Sequence, residues 1–208
     1  MLKRHRGLLY LLVPFLLILA LIAVWNALDF SRYPEKAADG AVWDKSWEMM
    51  GTAVGIEPPG GGLTLLANNS ILAGSDTYYA AWTAGEPAKY TNADGDEVDL
   101  YPAQLYVLLY GCEDEAAARD ACADFLAREK ATYTVQDERA ETHNTQDYTV
   151  LDYTGGSADN PYDRGSAAFA VRGGYVLVAE LLAQDSFDGD VPALLADFLD
   201  GVHYDAAL

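Results

Sequence analysis

A run of 22 residues without one charged side chain, 7–28 (GLLYLLVPFLLILALIAVWNAL), constrains this chain more than any other feature. At about 1.5 Å rise per residue it makes a helix of roughly 33 Å, enough for a hydrocarbon core of about 30 Å. Lys3, Arg4, His5 and Arg6 precede it, and Asp29 opens a strongly acidic chain. The positive-inside tendency therefore predicts residues 1–6 in the cytoplasm and everything beyond the apolar run outside. Trp25 falls where an interfacial aromatic is favoured, and Pro14 is tolerable in a membrane helix. A cleaved leader has a similar start, but its apolar region spans about 7–15 residues and ends in a small-x-small site. A cut after Ala27 would put Trp25 where a small side chain is wanted. The expectation is an uncleaved single-pass anchor in a cell membrane, with the rest of the chain extracytoplasmic.

Beyond the anchor the chain divides in two. Residues 29–62 read as a connector in which Trp43, Trp47 and Met50, spaced i, i+4, i+7, predict a short amphipathic helix. Glu57-Pro58-Pro59-Gly60-Gly61-Gly62 breaks regular structure, so the domain is expected over 63–208. Three of the 13 Lys and Arg precede the membrane and all 32 Asp and Glu lie beyond it. The exported part thus carries 10 basic against 32 acidic side chains, a formal charge of −22. That sign repels nucleic acid and anionic headgroups, and suits solubility, divalent cations or basic partners.

From Leu63 the chain reads mainly as strands rich in Tyr, Val, Thr and Trp: 63–67, 77–84, 97–101, 104–111, 131–138, 146–154, 166–172 and 175–182. Asn92-Ala93-Asp94-Gly95-Asp96 and Gly173-Gly174 read as hairpin turns, and Pro102 marks a bend or an edge. Residues 114–130 form a helix with acids in its first turn, Arg128 and Lys130 in its last, and a stripe of Ala118, Ala121, Cys122, Phe125 and Leu126. Residues 191–200 form a second, with Asp190 as N-cap, Pro192 near its start and Gly201 past its end. Cys112 and Cys122 are the only cysteines. Helix rise separates them by roughly 12 Å along the axis, beyond the Cα spacing of about 7 Å that a disulfide allows.

Short connections between strands imply an antiparallel sheet with helices packed on it, an α+β sandwich. Runs such as 104–111 and 175–182, apolar on both faces, fit strands covered on both sides. The order of elements over 63–204 resembles that of PsbP-like and Mog1-like proteins. The resemblance implies this sandwich and a non-catalytic accessory or binding role.

Signs of catalysis are sparse. The chain lacks G-x-S-x-G, H-E-x-x-H, C-x-x-C, P-loop and G-x-G-x-x-G patterns. No cofactor is expected. The binding candidates are aromatic: Tyr78 and Trp82 share one face of a strand while Tyr79 takes the other, and Tyr101 lies near the proline-marked bend. One of these sets is expected to line a groove for an envelope protein, a peptide or a glycan, rimmed by the loop 155–165. Glu180 stands alone in an apolar run and needs a partner; a two-residue turn at Gly173-Gly174 places it opposite Ala167, with Arg164 as the expected pair. Asn92, Asp94, Asp96 and Asp99 have the spacing of calcium ligands, though Gly95 is misplaced for an EF-hand loop. Asp185, Asp188 and Asp190 form a second acidic loop. The reading is a membrane-anchored module of the bacterial envelope that binds or assists. Its rivals are an envelope-polymer hydrolase using a carboxylate pair and a structural subunit assembled through the anchor.

Overall fold

The unbroken apolar run at 175–183 becomes a strand, β10, that is buried on both faces and paired on both edges. The computed structural model describes residues 54–69, 77–155 and 160–204. Its strands are β1 (Val54–Ile56), β2 (Thr64–Asn69), β3 (Thr77–Ala84), β4 (Ala88–Thr91), β5 (Glu97–Leu100), β6 (Ala103–Gly111), β7 (Thr134–His143), β8 (Gln146–Thr154), β9 (Arg164–Arg172), β10 (Tyr175–Ala183) and β11 (Val202–Tyr204). Two helices, α1 (Glu115–Thr132) and α2 (Val191–Asp200), complete the described elements. Seven strands form one sheet in the order β2-β3-β6-β10-β9-β8-β7, antiparallel throughout. The fold is α+β, as the pattern of elements implies.

Strand alternation sorts the sheet into two faces. Leu177, Ala179 and Leu181 of β10 meet Val191, Leu195, Phe198 and Leu199 of α2 in one apolar cluster. Val176, Val178 and Leu182 meet Ala118 and the partly buried Ala121, Cys122, Phe125 and Leu126 of α1 in the other. Each helix is fixed by its ends. Asp114 accepts from the Ala117 amide at 2.8 Å and Asp190 from the Ala193 amide at 3.2 Å, satisfying N-terminal donors. Cys112 and Cys122 are both free thiols.

The two edge strands, β2 and β7, each carry a register shift, between Leu65 and Ala67 and between Val135 and Asp137. Bulges and charge blunt an edge that would otherwise recruit another strand. On β7 the charge is a network in which Arg139 meets Asp137, Glu141 and Asp152. Its hairpin to β8 turns through Asn144 and Thr145, both at positive φ (45° and 67°).

The folded unit begins earlier than residue 63. β1 pairs with β11 through Val54↔Tyr204 and Ile56↔Val202, and Ile56 is 2% exposed. A three-residue strand is too short for a periodic signal, which is why it reads as connector. β4 is missed for the same reason; it pairs with β5 in a separate ribbon closed at Asn92–Asp96. Pro102 is a bend, where the chain leaves that ribbon for the main sheet. The expected apolar helix 7–28 and the amphipathic stretch with Trp43, Trp47 and Met50 lie outside the described residues. Among the described residues no helix is long and apolar enough to cross a membrane.

Trp82 lies in the core of the α2 face, 1% exposed, its ring 5.8 Å from that of Phe198. Replacing it by Ala leaves a cavity beneath α2, and the expected cost is about 3–5 kcal/mol. The half-exposed Tyr101→Ala is expected to cost far less. Denaturant titration of both variants checks this; equal, small losses would contradict the burial of Trp82.

Candidate functional site

Alternation also decides which of the candidate residues come together. Trp82 faces α2 and is enclosed, so it is not available to a ligand, contrary to the surface role expected for it. The error is physical: in a strand covered on both sides, composition does not tell inner from outer faces. Tyr78 sits in β3 opposite Leu109, its side chain outside the described residues. Tyr79, on the other face, pairs its ring with Tyr106 at 6.2 Å. Tyr101 is half-buried in the bend, its carbonyl accepting from Gln184 at 2.9 Å.

Glu180 does lie opposite Ala167, as expected. Arg164 is three residues away along β9 and therefore on the opposite face of the sheet, so the expected Glu180–Arg164 pair does not form. Glu180 instead accepts from the Tyr153 hydroxyl. Tyr153 stacks on Tyr133 at 4.3 Å, and Asn160 donates to the Tyr133 hydroxyl. The Tyr153 ring lies over Gly165, where an added Cβ would come within 2.5 Å of it, so only glycine fits beneath. Burial without a cation pushes the Glu180 carboxyl up to about 8.

Arg164 has a different task. It donates to the Phe187 carbonyl and stands 3.6 Å from Asp185. The Asp185 amide in turn donates to Asp163 at 2.7 Å, and the Phe187 amide to the Gln184 carbonyl at 3.0 Å. These bonds fix the turn between β10 and α2, and that turn walls a cavity.

The cavity is an open groove of about 720 Å³. It lies where β3 ends at Ala84 and β6 begins after Pro102, closed by the 186–190 turn and the first turns of α2. Its size falls in the range of ligand sites, about 300–1,000 Å³. Phe187, Leu194, Pro102 and Ala84 give it apolar walls; Asp188, Asp190 and Asp197, all exposed, stand along its lining. Gly61 closes one side at φ +68°, and a Cβ there would fall 2.6 Å from Leu194. The signals for it in the sequence are the acidic loop of Asp185, Asp188 and Asp190 and the glycine run at 60–62. Phe187 and Leu194 carry no separate signal, because the groove is assembled from segments distant in the chain.

The candidate calcium ligands of the β4–β5 hairpin are engaged within the ribbon or exposed at its tip. Asn92 accepts from the Asp96 amide at 2.8 Å, making a turn of its own, and Asp99 pairs with Lys89 at 2.8 Å. Asp94 stays exposed at the tip. Among the described residues no three His, Cys, Asp or Glu groups converge to hold an ion. His143 is bound instead to Glu141 at 2.9 Å and Asp200 at 2.7 Å.

No family profile matches the chain, and no curated protein does. Among solved structures it is similar to the solution structure of cyanobacterial PsbP (CyanoP) from Synechocystis sp. PCC 6803. The two share 13% identity and a TM-score of 0.46, over 78% of this chain and 90% of that one. No statement about this chain's fold or function rests on that likeness.

Glu180 supplies a test of the buried chemistry. Its folded value is about 8 against an ordinary 4.5. Between these values the folded chain keeps a proton that the unfolded chain has released, so stability falls as pH rises through that window. At about 1.36 kcal/mol per unit the loss is on the order of 5 kcal/mol across it. Glu180→Gln keeps an acceptor for the Tyr153 hydroxyl and is expected to stabilise the protein at pH 8 while changing little at pH 4. Denaturant midpoints at both pH values check this; destabilisation at both would contradict a neutral Glu180.

Proposed function

We propose that this chain is a membrane-anchored binding or accessory module of the bacterial envelope, whose extracytoplasmic domain holds part of another envelope component in the groove beside α2. The uncharged run at 7–28 and the basic residues before it support the anchor and its direction. The groove carries the binding reading: a concave, apolar-walled site at the ends of strands, with a wall fixed by Arg164 and a helix seated by Asp190. Trp82, expected to bind, is displaced from this role by its burial, and Tyr101 precedes Pro102, which lines the groove. Glu180, the acid most perturbed by burial, is hydrogen-bonded within the core, which disfavours a carboxylate-pair hydrolase centred on it.

The test uses the full chain in intact cells. A photoreactive residue in place of Ala193, in the groove, is expected to give a discrete adduct. The same residue in place of Glu138, exposed on β7, is expected to give none. Protease added outside is expected to remove the domain and leave a small membrane fragment with the original N-terminus. Equal adducts from both positions contradict the groove as contact site. A mature chain starting between residues 26 and 45 contradicts the anchor.

A further inference from the structure

The groove has a charge as well as a shape. Asp188 and Asp197 enter no ion pair or hydrogen bond among the described residues. Asp190 uses one carboxylate oxygen to cap the Ala193 amide, and its charge remains. The nearby cation, Arg164, is turned away to Asp185 and the Phe187 carbonyl. The N-terminus of α2 also lies here and works the other way, since a helix dipole places about half a positive charge at that end. Three carboxylates outweigh it. Pro192 has no amide hydrogen and the Ala193 amide is already capped, so little of the helix end is left for an anion.

Beneath the carboxylates the walls are apolar, and next to them lies unpaired backbone. Gly61 and Gly62 are exposed and form no backbone hydrogen bond among the described residues. Apolar walls call for an apolar side chain, free amides for another backbone, and the aspartates for positive charge. Resting on the groove as the contact site, we propose that its occupant is a polypeptide segment presenting an aliphatic side chain flanked by Lys or Arg. An acidic segment meets like charge at the rim, which selects against it.

The test is performed on the ¹⁵N-labelled full chain in zwitterionic nanodiscs, with blocked pentapeptides as probes: Lys-Lys-Leu-Lys-Lys, Lys-Lys-Gly-Lys-Lys, Ser-Ser-Leu-Ser-Ser and Glu-Glu-Leu-Glu-Glu. The first is expected to shift the amides of Gly61, Gly62 and Gly189, and to bind more weakly as salt rises. The Asp188→Asn, Asp197→Asn double variant is expected to weaken it by about three- to tenfold, the scale of two exposed charge pairs. Both residues are exposed, so that variant keeps the fold, which its unchanged remaining spectrum verifies. If Ser-Ser-Leu-Ser-Ser or Glu-Glu-Leu-Glu-Glu shifts the same glycines as strongly, the groove stands and the charge preference is overturned. Equal binding of Lys-Lys-Gly-Lys-Lys overturns the apolar seat. If no peptide shifts those glycines, the occupant and the groove reading both fall.

Discussion

Everything in this fold hangs on β10 being paired on both edges and covered on both faces. It aligns nine residues with β6 and nine with β9, from Tyr175↔Gly111 to Ala183↔Ala103 and from Tyr175↔Arg172 to Ala183↔Arg164. With both registers fixed, alternation leaves no freedom over which side chain faces which helix, because a slip of one residue would exchange the faces. Leu177 and Leu181 must meet α2, while Val176, Val178 and Glu180 must face α1. The one acid in that set is accommodated by staying protonated and accepting from Tyr153, at a cost that grows with pH.

The same registers decide where the groove can be. α2 comes after β10 across a short turn, and its apolar side lies on the face that Trp82 and Leu177 define. Its far end is held by the tip of the β7–β8 hairpin: His143 binds Asp200, and Asn144 donates to the carbonyl of Asp200 and, at 3.0 Å, to that of Val202. Burial acts against a charged imidazole there, yet the hydrogen bonds its ring N–H groups donate to Glu141 and Asp200 prevail and raise the His143 value. A cation at a helix C-terminus also complements the helix dipole. With α2 pinned at both ends, the groove beside its first turns is a fixed shape between rigid elements, set apart from the buried chemistry around Glu180.

Strong periodicities are legible in the sequence. The bounds of β3, β8 and α2 match their patterns, Asp190 caps as its residue type implies, and Gly173-Gly174 turns as glycines allow. Three things are hidden. β1, β4 and β11 are three or four residues long, too short for alternation to show. Trp82 and Tyr79 sit on opposite faces of a strand whose two sides are both covered, so composition favours the wrong aromatic as a surface residue. Arg164 and Glu180 are close along the paired strands and still face apart, which proximity in register conceals and parity reveals. The groove is legible only as scattered hints, a glycine run and an acidic loop, because its walls come from residues 61 to 197 and meet only through long-range packing.

The most direct test of this account is amide hydrogen exchange across the sheet of the full chain. A strand paired on both edges and buried on both faces opens only when the domain unfolds, whereas edge strands fray independently. The amides of Val176 to Leu182 are expected to be the slowest in the domain, together with their bonded partners in β6 and β9, and those of β2 and β7 markedly faster. Exchange in β10 as fast as in β2 would contradict the central placement of β10, and with it the assignment of every side chain to its face.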